Sequence, residues 1–590
     1  MTALALLAVL ALQQGRDTPY FEQGVEYRIE ARLDEGTDVL AGRARLRYTN
    51  NSRERIDTLF FHLHLNAFRP NSAWARRELQ FGERRFQDLG PGQHAYERLK
   101  NVEVDGRRVT PNFPGAPDST VVAIPLSSAL ASGQSVTVLI DWDARLATVP
   151  RRQGRRDRHF DFAQWYPRIA VYDRDGWAVQ PLLPQGEFYG EFASYDVTLE
   201  LAEDQVVGAT GVPVEGDPGW EGARAAGTSA PELRRDAYPA RAAENLGLLA
   251  ASPIAGRKRV RWRAEDVHHF AFSSSPEYIY EGGAYEDVAI HVLYQRGDTA
   301  WDEGVAVRRT ARSLAFLDTI FGKYAWPQLT NVHRIEGGGT EFPMLIMDGS
   351  ASEGLILHET AHQYVHGILA NNEWREGWLD EGFASFLGSW YAELQGGDPV
   401  RIWGGQLESV RRLERQRSTQ PPALASAEFR DFQTYNAMTY TKPSIVFRML
   451  RYLLGEESFR AGLRHYFEHN RLNHVREENL RASMEVAAGQ DLAWFFHQWI
   501  HTTNTLDYRI GEVTTRQAAD GTWHTRIEVV RGGEIWMPVD LRVDGDTRRL
   551  DARERRQVVT VTTRVRPAEV MLDPDQKLLD IDPTNNMRRL

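Results

Sequence analysis

The chain is expected to be a multidomain α+β protein, and three observations carry that expectation. Its 590 residues exceed what one hydrophobic core serves. Apolar and polar residues alternate from Tyr20 to about Ala271, as in strands with one wetted face. Beyond about residue 275 the pattern becomes helical, and after about Asp507 alternation returns. The expected domains are a large N-terminal β domain over 17–272, a mixed α/β domain over 273–505 and a small C-terminal β-sandwich over 506–590.

Each element follows from its own pattern. Residues 25–31, 58–65, 135–140 and 196–201 alternate and predict strands, whereas 212–245, rich in Gly, Pro, Ala and Arg, predicts a surface loop or insertion. Helices are expected over 303–321, 354–369, 380–394, 443–454 and 457–469. Between them, 329–347 reads as strands around the turn Gly337-Gly338-Gly339, and 525–530 and 558–561 supply strands of the sandwich.

Composition narrows the function classes. A formal charge of −11 supports solubility and argues against a nucleic-acid partner. Nearly all the positive charge is arginine, as in a GC-rich bacterial genome. There is no cysteine, so disulfides, thiolate ligands and a cysteine nucleophile are excluded, and a transition metal must be held by His, Asp or Glu. The apolar run Ala3 to Leu12 suits a signal segment over 1–16, which predicts export to the periplasm or the medium. No later segment is long and apolar enough to span a bilayer.

The densest chemistry lies in His358-Glu359-x-x-His362, followed by Glu381 after eighteen intervening residues. Histidines four apart sit one turn apart on one helix face, so both imidazoles reach one ion. Glu359 projects about 100° further round and flanks that ion, where a carboxylate can take a proton from metal-bound water. This is the pattern of a hydrolytic zinc site, with one Zn2+ per chain. In the next helix the apolar stripe Leu379, Phe383, Phe386, Leu387 and Trp390 faces one way. Glu381 lies nearly opposite with Ala384, Ser385 and Gly388, small residues that would admit the histidine helix and let the carboxylate serve as third ligand. His366 is set about 5–6 Å further along the axis, too far to join the same ion, and is expected to pack as a neighbour.

Taken with Trp378-Leu379-Asp380-Glu381-Gly382-Phe383-Ala384, the histidine motif resembles the gluzincin zinc peptidases, specifically the aminopeptidase N family, which includes leukotriene A4 hydrolase. Gly338-Gly339-Thr340-Glu341-Phe342 resembles that family's Gly-Ala-Met-Glu-Asn strand, and Tyr440-x-Lys442 its catalytic tyrosine segment. Asp491 to Trp499 resembles the usual end of its catalytic domain. The resemblance implies a saddle-like N-terminal β domain and a thermolysin-like mixed α/β catalytic domain before the sandwich. It implies His358, His362 and Glu381 as zinc ligands, Glu359 as general base and Tyr440 as oxyanion donor. It also implies that Glu341 binds the free α-amine of a peptide, with Gly338 and Gly339 letting the substrate backbone approach.

This sequence departs from the pattern at several places. Thr340 and Phe342 replace the family's Met and Asn, and Pro443 replaces a Gly. The second amine anchor has no clear counterpart: in Phe162-Ala163-Gln164-Trp165-Tyr166-Pro167 the aligned position is Tyr166, and Gln164 is the candidate. The chain also ends after the sandwich, without the C-terminal helical domain of many relatives. The expected function is that of an exported zinc aminopeptidase acting on peptides with a free N-terminus. An endopeptidase or epoxide hydrolase on the same site, or a non-catalytic peptide-binding scaffold, stays open at this point.

Overall fold

The structure, a computed structural model, describes residues 21–252 and 254–590. The expected signal segment lies outside the described residues. The architecture is α+β, with a sheet-rich N-terminal part and helices gathered in the second half.

An eight-stranded sheet organises the N-terminal part, in the order Val212–Glu215, Arg257–Val267, Ala193–Ala202, Gly24–Asp34, Val39–Thr49, Ser135–Arg145, Tyr96–Val104 and Arg107–Arg108. Strict alternation makes these strands: Ser135–Arg145 buries every second side chain, including Val136, Val138, Ile140, Trp142 and Ala144. Gly42 lies across from Trp142, and a Cβ there would run into the indole. The loop expected over 212–245 is a loop except at its start, where Val212–Glu215 joins the sheet edge.

The second half begins with a five-stranded sheet, ordered Tyr278–Tyr285, Val288–Gln295, Gln328–His333, Leu345–Asp348 and Gly339–Phe342. The helix Val305–Ile320 makes the crossover between the parallel strands Val288–Gln295 and Gln328–His333. Gly339–Phe342 is the edge strand, paired antiparallel with Leu345–Asp348, so its outer side is free of a neighbouring strand.

Three helical findings correct the sequence expectation. The histidine helix is Glu353–His362, ending well before 369. After His362 the backbone widens into a π turn and leaves helical geometry at Val365 and His366, the latter with φ 145°. Tertiary bonds override the local periodicity here. Gln363 accepts from Met344 N–H at 2.8 Å and from Tyr324 O–H at 3.0 Å and donates to Phe342 O at 3.0 Å, while His366 Nδ1 lies 2.7 Å from Glu373 Oε1. Leu369–Asn371 then pairs in parallel with Asn473–Val475. The helices Pro399–Arg415 and Glu477–Ala488 were not among the expected elements.

At the C-terminal end one sheet holds Tyr508–Gln517, Trp523–Arg531 and Arg556–Thr563. The other holds Asp546–Leu550, Val539–Val543, Glu569–Leu572 and Met587–Arg589. The helices bind this part through arginine, with Arg411 Nε donating to Asp580 O at 2.7 Å and Arg448 Nη1 to Gln576 O at 2.8 Å.

A buried histidine seam joins the two halves. Arg168 Nη1 donates to His269 Nε2, and an arginine can only donate, so His269 must carry its proton on Nδ1. That proton points to His268 Nδ1 at 2.7 Å, and His268 Nε2 donates to His366 O at 3.1 Å. The chain of bonds satisfies two neutral imidazoles in sequence. His62 and His64 stack nearby with ring centroids 4.5 Å apart, and neither ring nitrogen of His62 has a hydrogen-bond partner among the described residues.

Burial, followed by repulsion from Arg168, holds the His62 pKa down to about 3, against 6.5 for a free imidazole. The unfolded chain therefore takes this proton first. The stability that His62 contributes is whole above pH 6.5 and is lost as pH falls toward 3. Replacement by phenylalanine removes the titration. Relative to the parent, His62→Phe should gain about 2 kcal/mol of stability between pH 7 and pH 5. Urea unfolding followed by tryptophan fluorescence at both pH values checks this; a gap that stays constant with pH contradicts it.

Candidate active site

His358 and His362 stand on one face of the helix Glu353–His362, and Glu381 opens the helix Glu381–Leu394. Their ligand atoms converge. His358 Nε2 and His362 Nε2 are 3.1 Å apart, and each lies 3.2 Å from Glu381 Oε2. Ligands at about 2.0–2.1 Å in a tetrahedral zinc site are separated by about 3.3 Å. The observed triangle has the size of one face of such a tetrahedron and is built from the nitrogen and oxygen donors zinc prefers, so these three residues could hold the ion.

Asp380 fixes the tautomer. Its Oδ1 lies 2.5 Å from His362 Nδ1, so Nδ1 carries the proton and the Nε2 lone pair faces the cavity. His362 and then the His358 hydrogen bond hold the Glu381 carboxyl far below the usual carboxylate range, although burial acts the other way. The Tyr440 hydroxyl donates to Glu381 Oε1, the oxygen not turned to the histidines. Burial, then the charge of Glu381, raise the Tyr440 pKa well above that of a free phenol, so it remains a donor.

Glycine sets the spacing. A Cβ at Gly382 would collide with Pro443, so the Glu381 helix presses directly on the segment bearing Tyr440. The expectation that Gly388 admits a close helix is corrected, because a Cβ there meets nothing within 4 Å. A Cβ at Gly339 would overlap the Glu359 carboxylate, so that strand can approach the carboxylate only as glycine. Gly338 is left-handed at φ 74°, and its carbonyl accepts from Gly349 N–H at 2.8 Å.

Glu359 is 4% exposed, and its Oε2 has no partner among the described residues. Burial pushes its carboxyl up to about 8, against the pull of His358 and with a further push from Glu341. A base with this affinity is matched to proton transfer near neutral pH. Glu341 sits on the edge strand Gly339–Phe342, also buried, with no hydrogen bond to Oε1 among the described residues.

One cavity of about 310 Å3 brings most of these groups together. Gly337, Gly338, Gly339, Glu341, His358, Glu359, His362, Glu381 and Tyr440 line it, and so does Tyr435. Gln164 is not in this lining. It is 6% exposed and bonds to His64 Nδ1 at 3.3 Å, because its segment packs into the aromatic core between Phe162 and Trp165. The expected second anchor is thus corrected; Tyr166 also turns inward, its hydroxyl 2.8 Å from that of Tyr195.

The wall opposite the strand holds residues that sequence reasoning missed: Arg151, Arg152 and Glu187. Arg152, left-handed at φ 58°, forms an ion pair with Glu187 and places Nη1 4.0 Å from Glu341 Oε1. Arg334 braces the glycine turn, donating to the carbonyls of Glu336 and Gly337 and to Thr340 Oγ1. The only sequence signal for the wall was the arginine run from Arg151 to Arg158, which has no motif.

Residues 346–499 match the family description "Peptidase family M1 domain". Over that stretch the chain is similar to the M1 peptidases. Among relatives of this family, mitochondrial aminopeptidase 2 of Saccharomyces cerevisiae is 29% identical over 217 residues, covering 32% of this chain and 22% of the relative. Aminopeptidase N of Streptomyces lividans is 26% identical over 156 residues, covering 25% and 18%. The chain thus spans about a fifth of the length of these relatives. In fold it is similar to the M1 zinc metallopeptidase of Deinococcus radiodurans, with a TM-score of 0.55 at 17% identity over 81% of this chain and 94% of that one. It is also similar to aminopeptidase A of Legionella pneumophila, with a TM-score of 0.64 at 15% identity over 96% and 60%.

The contact between Gly339 and Glu359 generates a prediction. Gly339→Ala should displace the base and lower kcat on a peptide substrate by about a hundredfold or more. Bound zinc should stay at one per chain, since no ligand moves. Steady-state kinetics with elemental analysis of the same sample tests both halves.

Proposed function

We propose that this chain is a zinc-dependent aminopeptidase that hydrolyses the N-terminal residue from peptides. The observation that carries the reading is the convergence of three ligand atoms at 3.1–3.2 Å in a cavity shared with Glu359, Glu341 and Tyr440. His358, His362 and Glu381 would hold the ion. Zinc in such a site polarises a carbonyl and lowers the pKa of water to about 7.

The remaining roles belong to side chains. Glu359 takes the proton of the attacking water and returns it to the leaving amine, as its raised affinity allows. Tyr440, a neutral donor beside the ligand carboxylate, stabilises the oxyanion once substrate enters. The free edge of Gly339–Phe342 aligns the substrate backbone as an added strand. Glu341 receives the α-ammonium with Oε1, which accepts no hydrogen bond among the described residues. In the same reading the catalytic domain spans 273–505, the β domain precedes it, the sandwich follows it, and the chain is exported. No helix among the described residues is long and apolar enough to cross a membrane.

An endopeptidase reading draws on one observation, Arg152 beside Glu341, which partly satisfies the carboxylate meant for the amine. Comparison of alanyl-4-nitroanilide with its N-acetyl form separates the two. Cleavage of the free amine alone, abolished by chelator and restored by zinc, is expected; cleavage of the blocked form at a similar rate overturns the exopeptidase claim. Glu359→Gln should lose at least about a thousandfold in kcat while retaining metal. Tyr440→Phe should lose about 10²- to 10³-fold in kcat with little change in KM.

A further inference from the structure

The arginines of the cavity wall are not all held by hydrogen bonds to their carboxylate partners. Arg152 is matched by Glu187 and approaches Glu341. Arg151 and Arg334 share one carboxylate, Glu336, at 3.8 and 3.9 Å, both beyond hydrogen-bond distance. Arg334 spends its donors on neutral groups of the glycine turn. Glu336 in turn spends Oε2 on the Arg152 backbone N–H at 2.7 Å. Arg151 and Arg334 thus divide one carboxylate, and neither holds it by a hydrogen bond.

Arg151 is the arginine whose donors are left free. Its side chain is 21% exposed, it lines the cavity with Glu359 and Tyr440, and its guanidinium makes no hydrogen bond among the described residues. The guanidinium carbon stands 5.7 Å from the Trp74 ring centroid, so an aromatic face supports one side. Burial, then repulsion from Arg152, lower its pKa to about 10, which still leaves it charged at neutral pH. An arginine fork with free donors in a partly desolvated cleft is built for a carboxylate, bound through two parallel N–H···O bonds.

We propose that Arg151 is a specificity-determining residue that binds a substrate carboxylate in the catalytic cavity, so that the enzyme prefers short peptides carrying a negative charge near the scissile bond. The proposal rests on the aminopeptidase reading for its position in the reaction. The carboxylate has two sources, an acidic side chain or the free C-terminus of a dipeptide.

Two substrate pairs distinguish these sources: Glu-4-nitroanilide against Gln-4-nitroanilide, and Ala-Ala against Ala-Ala amide. In at least one pair the anionic member should have a kcat/KM about tenfold higher or more, the pair naming the source. Arg151→Met should erase that ratio, and Arg151→Lys should keep part of it, because a point charge remains without the fork. Equal kcat/KM within both pairs for the parent overturns the proposal, as does an Arg151→Met variant that lowers both members of the preferred pair alike. Binding separates this claim from the aminopeptidase reading. Titration calorimetry of zinc-loaded Glu359→Gln protein with Ala-Ala and with Ala-Ala amide should give the same preference, lost on adding Arg151→Met. An anion preference in binding beside an inactive parent enzyme would sink the aminopeptidase reading and leave Arg151 standing; no preference in an active enzyme would do the reverse.

Discussion

Glu341, Glu359 and Glu381 line one cavity with two imidazoles, the buried Asp380 is bonded to one of those imidazoles, and their mutual compensation is what the surrounding structure has to supply. Glu341, Glu359, Asp380 and Glu381 are each 5% exposed or less. An isolated carboxylate at such depth costs several kcal/mol. Asp380 is answered by His362, and Glu381 by Tyr440 and the two histidines. Arg152 approaches Glu341 from the opposite wall. What remains is a triangle of lone pairs of the size a dication takes, with Glu359 beside it. Helix packing, the glycine turn and the arginine wall all serve to hold these charges at fixed separations.

That arrangement explains what the sequence could and could not tell. His358, His362, Glu359 and Glu381 were legible because helix periodicity ties spacing in sequence to position in space. Sheet strands such as Ser135–Arg145 were legible for the same reason at period two. The early end of the histidine helix was not, since it depends on Gln363 meeting Phe342, Met344 and Tyr324, partners distant in the chain. The helix Pro399–Arg415 did carry readable signals, an Asp398 cap and Pro399 in its first turn, but Gly404-Gly405 and many arginines obscured its period.

The cavity wall from the β domain was the least legible part. Gln164 looked suitable by residue type, yet the aromatic core claims its segment. Arg151, Arg152 and Glu187 belong to irregular backbone, where no periodicity links position to direction. Arg152 adopts a left-handed conformation that only the folded context imposes. Charge pairing across domains is a property of the assembled molecule, and one chain segment carries no record of it.

The contact of Gly382 with Pro443 has a mechanical meaning. With no side chain between them, the Glu381 helix and the Tyr440 segment form one rigid block, further pinned where Lys442 meets Glu414 at 3.2 Å with both side chains fully buried. A hinge between these two segments would separate the Glu381 carboxylate from the Tyr440 hydroxyl. The pair therefore keeps one fixed separation whatever the rest of the cavity does.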